Sequence, residues 1–272
     1  MADAEPHVLV DVVDGVATVT LNRPERRHAM SPEMVVRLAR AWRDLNDDAA
    51  VSAVVLTAAP GPVFCAGADL ARLIPLFTGA RAAEDEWDRE LLADRRAMDV
   101  ALLRGVDFYK PVVAAVTGKA LAGGTEILLG TDLRVASTDA TFALTEVRRG
   151  IVPGGGSLVR LARQIPYAAA MEILLVGEPI SAAHALSIGL VNRVVPPDDV
   201  LPTAIDLARR IVLGAPFALR KAKEAVVTTS GVPLAAAYKI ENACAREVMA
   251  TDDAREGPRA FVEKREPVWA GR

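Results

Sequence analysis

Two glutamates, Glu126 and Glu146, stand inside glycine-rich stretches of a 272-residue chain. Three such stretches recur: "FCAGADL" at 64–70, "ALAGGTEILLG" at 120–130 and "TEVRRGIVPGGGS" at 145–157. Glycine lets backbone approach closely and take conformations that larger residues disfavour. Backbone N–H groups from the "AGAD" turn and from a helix start at Gly123-Gly124 can together hold an oxygen that gains negative charge. Two carboxylates can then divide the proton transfers. Glu126 falls one turn into an apolar helix, where desolvation would raise its pKa. The set therefore suits chemistry next to an activated carbonyl. Plainer alternatives stay open for each part. A semi-buried glutamate can be a salt-bridged core residue, Glu146 can pair with Arg148 or Arg149 at the surface, and glycine clusters mark turns.

The elements that must position these groups follow from periodicity. "VLVDVVDGVATVTL" reads as two β-branched strands joined at Asp14-Gly15, a hairpin signal. "MSPEMVVRLARAWRDLNDD" reads as a helix with Ser31 as N-cap, Pro32 in the first turn, and Met34, Leu38, Ala41, Trp42 and Leu45 on one face. "SAVVLTA", "KPVVAAVTG" and "DLRVAS" read as strands, and residues 80–105 as a solvated amphipathic helix. Beyond about residue 156 the pattern is almost wholly helical. These alternations predict an α/β chain with a covered sheet and an all-helical C-terminal region. No internal sequence repeat or low-complexity segment is evident.

Composition narrows the function. Apolar residues make up 51% and charged residues 25%, as in an ordinary globular protein. The net charge of −3 and the 4% aromatic content give neither a basic footprint nor a stacking platform for nucleic acid. Two cysteines, Cys65 and Cys244, are too few for a disulfide framework and suit no zinc site, so reduced thiols and a cytoplasmic location are expected. The first ten residues lack the layout of a secretory signal, and no apolar run reaches the roughly 18 residues of a membrane span. "GKALAGGT" misses the phosphate-binding loop because Gly124 stands where lysine is required. "GGGSLV" is not a nucleophile elbow, and His7, His28 and His184 lie in unrelated contexts, so neither a triad nor a metal site is expected.

The same stretches resemble the crotonase superfamily, specifically its enoyl-CoA hydratases. The match runs from "TVTLNRPERRHAMSPEM" through "KPVVAAVTGKALAGGTEILLGTDLRVAS" and "FALTEVRRGIVPGGGSLVRL" to "DDAREGPRAFVEKREP". The resemblance implies a crotonase-like spiral of ββα units, with residues 1–200 as core and 201–272 as a helical region for oligomer contacts and closure of the CoA pocket. It implies an acyl-CoA thioester substrate, no separate cofactor, no metal, no nucleic-acid or membrane partner, and a homotrimer or dimer of trimers. Fatty-acid β-oxidation is the setting expected of such an enzyme.

Residue by residue, the resemblance gives Glu126 and Glu146 as catalytic and the N–H groups of Ala68 and Gly123 as oxyanion hole. Ala66, Ala68, Asp69, Leu70 and Ala71 would border the CoA path, with Gly154 near the reacting water. Glu146 would deliver a proton to C2 while Glu126 activates the water that adds at C3. Several positions depart from the family pattern: His28 replaces an asparagine near the CoA entrance, Ala122 a glycine, and Thr125 a small residue. Ala71 replaces a basic residue, which shifts the adenosine phosphates to Arg26, Arg27 or Arg72. Phe261 and Lys264 match positions that reach a neighbouring subunit's CoA, or simply form an amphipathic terminal helix. An enoyl-CoA isomerase or other crotonase-type enzyme is the alternative chemistry. A non-catalytic CoA-binding or RNA-recruited relative is the alternative of another class.

Overall fold

Asp14 and Gly15 both take positive φ, 50° and 77°, and close β1 (Val8–Val13) onto β2 (Val16–Leu21) as an antiparallel hairpin. The computed structural model describes residues 5–271. Residues 1–4, which carry part of the expectation about a secretory signal, lie outside the described residues. Helix α1 (Pro32–Asp47) begins as its sequence dictates, with the Ser31 Oγ accepting from the Met34 N–H at 3.1 Å.

Strands β3 (Ala53–Ala58) and β4 (Val63–Cys65) follow. The run expected as one helix over 80–105 is broken. It holds α3 (Glu86–Ala93) and α4 (Ala97–Ala101), after a separate α2 (Leu73–Thr78). Asp94 ends α3 by leaving helical geometry, and its carboxylate accepts from the Arg96 N–H at 3.0 Å and pairs with Arg43 of α1 at 2.7 Å. The short polar side chain thus satisfies backbone in a turn and competes with helix continuation.

Next come β5 (Val112–Val116), β6 (Lys119–Leu121), α5 (Gly123–Leu128), β7 (Leu133–Ser137) and β8 (Thr141–Ala143). A 3-10 turn at Glu146–Arg149 leads to α6 (Ser157–Gln164) and α7 (Tyr167–Val176). The region read as almost wholly helical also contains two short strands, β9 (Ile180–Ser181) before α8 (Ala182–Ser187), and β10 (Arg193–Val195). Runs of two and three residues are too short to show a period in sequence. Helices α9 (Val200–Val212), α10 (Pro216–Thr229), α11 (Leu234–Met249) and α12 (Asp253–Glu263) complete the chain.

Two sheets organise the core. A six-stranded sheet has the order β1-β2-β3-β5-β7-β10, parallel except for the opening hairpin, and a four-stranded sheet has the order β4-β6-β8-β9. Each turn of the chain lays one long strand in the first sheet and one short strand in the second. The repeat is geometric and leaves no sequence signature. Alternate residues of β3 serve opposite faces. Val54 and Leu56 join the main core with Leu38 and Trp42 of α1, while Ala53 and Val55 meet Ala204, Leu207 and Ala208 of α9. With both faces covered, β3 and β5 are buried along their whole length, as their unbroken apolar runs foretold.

Trp42 pins α1 to the end of α4, its indole N–H donating to the Ala101 carbonyl at 3.2 Å and its ring meeting Phe108 edge-on at 5.4 Å. Among the described residues no helix is long and apolar enough to cross a membrane.

Candidate active site

In the second sheet β4, β6 and β8 are neighbouring parallel strands. Each of the three glycine-rich stretches begins where one of them ends. Ligands of α/β folds gather at the carboxyl ends of parallel strands because the turns there converge. One cavity of about 640 Å³ opens at that edge, and Glu126, Glu146, Ala68 and Gly123 all line it.

Close packing of backbone makes the site. A Cβ on Gly124 would fall 2.3 Å from the Cys65 carbonyl oxygen, so only glycine lets α5 approach β4. A Cβ on Gly123 would lie 3.6 Å from the Ala68 nitrogen, which places the two turns in contact. Met30 bridges the first turn: its N–H donates to the Gly67 carbonyl at 2.8 Å, and its own carbonyl accepts from Asp69 at 3.0 Å. That bridge skips Ala68. Among the described residues neither the Ala68 N–H nor the Gly123 N–H donates to an acceptor.

Ala122 sits at φ 52°, ψ −124°, a region glycine favours and alanine occupies under strain of about 1–3 kcal/mol. Its carbonyl accepts from Thr125 and Glu126, and its N–H donates to Ala143 at 2.8 Å. Thr125 ties the strands further, donating its hydroxyl toward the Ala120 carbonyl at 2.7 Å and lying 3.0 Å from that of Ala143.

The two carboxylates differ in support. Glu126 Oε1 accepts from the Gly155 N–H at 2.7 Å. Burial raises the Glu126 pKa, and that hydrogen bond offsets part of the rise. Glu146 Oε2 is buried with no partner among the described residues. Burial first, and then the charge of Glu126, push the Glu146 carboxyl up to about 7. The two groups are thus electrostatic neighbours across one cavity. Arg148 is engaged by Glu178 at 2.5 Å, and Arg149 by the Thr145 carbonyl at 3.1 Å. Glu146 is therefore no surface ion pair.

Of the remaining expected residues, Arg27, Ala66, Asp69, Leu70 and Gly154 line the cavity. Asp69 is also structural. Burial alone would raise its pKa, but the Arg23 guanidinium at 2.7 Å and the N–H of Ala71 outweigh it and hold the carboxyl below its usual value.

Ala71 is exposed and not part of the cavity lining, and its N–H turns back to the Asp69 carboxylate to open the turn before α2. His28 is buried beside cavity-lining Arg27 and Ala29, and its Nδ1 accepts from the Arg23 N–H at 3.1 Å, as an asparagine oxygen could. Burial lowers its pKa, which keeps the ring nitrogen an acceptor. Of the arginines considered for phosphates, Arg72 is committed to Asp85 at 2.6 Å, whereas Arg26 and Arg27 line the cavity. Phe261 and Lys264, at the end of α12, do not line the cavity of their own chain, and Phe261 is 85% exposed.

Sequence reasoning singled out Gly154 in the triple glycine, yet Gly155 makes the hydrogen bond to Glu126. A Cβ there would fall 2.7 Å from Glu126 Oε2. Asp99 and Arg104 also line the cavity, and nothing in the charged run around them distinguished them beforehand. Among the described residues no group of three or more His, Cys, Asp or Glu side chains is placed to hold a metal ion.

Fold and site together bring two buried carboxylates and two unengaged backbone N–H groups to one cavity. The sequence model described as enoyl-CoA hydratase/isomerase matches residues 11–272. An enoyl-CoA hydratase of Mycobacterium tuberculosis, EchA19, is 39% identical over 99% of this chain and 98% of its own. The (E)-benzylidenesuccinyl-CoA hydratase of Thauera aromatica is 36% identical over 97% of this chain and 99% of its own. The crystal structure of an enoyl-CoA hydratase from Mycobacterium tuberculosis H37Rv superposes with a TM-score of 0.88 at 37% identity, over 98% of this chain and all of that one. The chain belongs to the enoyl-CoA hydratase/isomerase family, and its paired sheets are the crotonase spiral.

Proposed function

We propose that the protein hydrates the C2–C3 double bond of a 2-enoyl-CoA thioester to give a 3-hydroxyacyl-CoA. The observation that carries this reading is the pairing of two buried carboxylates, Glu126 and Glu146, in one cavity with the unengaged N–H groups of Ala68 and Gly123. The thioester oxygen takes both N–H groups, and the enolate-like charge that forms on it is held there. One such donor is worth about 10²–10³ in rate.

Glu126, fixed by the Gly155 N–H, holds and activates the water that adds at C3. Glu146, with a pKa near 7, supplies the proton to C2. Both carboxylates then have work, whereas moving a double bond along a chain needs only one proton-shuttling group. Water enters as co-substrate, so no cofactor beyond the CoA ester is required. Arg26 and Arg27 at the cavity mouth suit its phosphates. A cytoplasmic homotrimer or dimer of trimers completes the reading, with Phe261 and Lys264 reaching a neighbour's cavity.

The test is hydration of crotonyl-CoA, followed by loss of enoyl absorbance. Glu146→Gln is expected to lower turnover by several orders of magnitude while CoA-ester binding persists. Migration of a 3-enoyl double bond without hydration of crotonyl-CoA would sink the assignment.

A further inference from the structure

A second charged pair in the cavity, Asp99 and Arg104, has no part in the chemistry above. Arg104 Nη1 donates to Asp99 Oδ1 at 2.9 Å, and the Arg104 N–H donates to the Asp99 carbonyl at 2.7 Å. The turn that presents them is firmly held. Leu103 takes a left-handed φ of 51° and Gly105 one of 57°. Arg160 donates to the Leu102 and Leu103 carbonyls, and Arg96 to that of Gly105 at 2.7 Å. Non-glycine residues kept in that conformation cost energy and cluster where a side chain must be aimed.

Asp99 engages one nitrogen of the Arg104 fork. Among the described residues, Nε and Nη2 of Arg104 donate to nothing. The guanidinium shares the cavity with Glu126, and its charge is felt there. The same cavity is lined in part by apolar side chains, among them Leu73, Met98, Leu102 and Val152. The Arg104 and Asp99 side chains are 50% and 39% exposed, so water serves the free donors. A wholly aliphatic acyl tail laid over them would displace that water and return no hydrogen bond. A carboxylate at the end of the tail would instead accept from the free donors, in the charge-assisted geometry that arginine offers.

We propose that Arg104 determines specificity by selecting 2-enoyl-CoA esters whose acyl chain ends in a second carboxylate, with Asp99 orienting the guanidinium. The reaction involved rests on the hydratase reading, but the recognition step does not.

The experiment compares CoA esters of equal chain length ending in methyl or in carboxylate. Saturated, unreactive esters are used for binding by calorimetry, and 2-enoyl esters for kcat/KM. The native protein is expected to favour the carboxylate ester about tenfold or more in both measurements, as one charge-assisted contact implies. Arg104→Met should collapse that ratio to near one or below, and Arg104→Lys should restore part of it. An unchanged ratio in Arg104→Met, or a native preference for methyl-ended esters, overturns the proposal. If neither enoyl ester is hydrated while the binding ratio still depends on Arg104, the hydratase reading fails and this one stands.

Discussion

At the scale of single residues, burying Glu146 costs stability and leaves a carboxyl that titrates near neutrality, as the proposed acid requires. Glu146 has its pKa raised from 4.5 to about 7 by burial and by Glu126. A carboxyl raised on folding is fully compatible with the fold below its unfolded value of 4.5, destabilises it progressively as pH climbs from there to about 7, and carries its full cost above that. Glu146→Gln is therefore expected to stabilise the protein by up to about 3 kcal/mol at pH 8, and by less than about 1 kcal/mol at pH 5. Urea unfolding at the two pH values checks this, and an equal effect at both would remove the strain from Glu146. Activity should follow the same group, with kcat/KM falling as pH rises past about 7 because the C2 proton is lost. The acid limb is expected to follow Glu126, also raised by burial, which the proposed reaction needs ionised to activate water. Gly155→Ala probes the partner carboxylate. The new Cβ would meet Glu126 Oε2 at 2.7 Å and Leu102 Cδ1 at 2.5 Å. A displaced Glu126 is expected to cost about 10²-fold in kcat with secondary structure retained in circular dichroism. A fully active variant would show that Glu126 tolerates movement.

At the scale of elements, the question is what holds the N–H groups of Ala68 and Gly123, the proposed oxyanion donors, in place. Three short strands do so, and the turn at Ala122 carries their strain. Ala122 occupies φ 52°, ψ −124° and begins α5 immediately before Gly123. Replacing it with glycine removes the Cβ conflict of that backbone at some cost in unfolded-state entropy. Ala122→Gly is expected to stabilise by about 1 kcal/mol, a rise in Tm of about 2 °C for a chain of this size. A lower Tm would mean that the alanine methyl contributes more by packing than its backbone costs. These same elements mark the limits of sequence reading. The hairpin at Asp14-Gly15, the α1 cap at Ser31 and the long buried strands were legible because each has a local signature. Strands β4, β6 and β8 were not, being three residues each, although they place both glutamates. The glutamates themselves were visible as polar residues among glycine and leucine. Gly155, Asp99 and Arg104 were not, since their roles come from contacts across the fold that no local pattern records.

At the scale of the whole molecule, the C-terminal helices divide in two. Helix α9 caps the six-stranded sheet and is part of the core. Helices α10 and α11 bury only Cys244 between them, while Val226, Leu234, Tyr238 and Met249 stand more than half exposed. Adjacent on α12, Phe261 and Val262 are 85% and 79% exposed. A monomer rarely leaves so many large apolar side chains in water on one stretch of chain, so this face is suited to a like subunit. The proposed trimer is thus expected to be the stable unit, with a Tm that rises with protein concentration because association stabilises the folded chain. Light scattering of the native protein should give a multiple of the chain mass, and Val226→Asp with Met249→Asp should shift it toward a single chain by placing charges in the contact. Phe261→Ser separates the two roles of the tail. If α12 reaches a neighbour's cavity, this variant keeps the native mass but raises KM for CoA esters. A native protein that runs as one chain at every concentration would leave α10–α12 without a partner of their own kind and would remove Phe261 and Lys264 from the site.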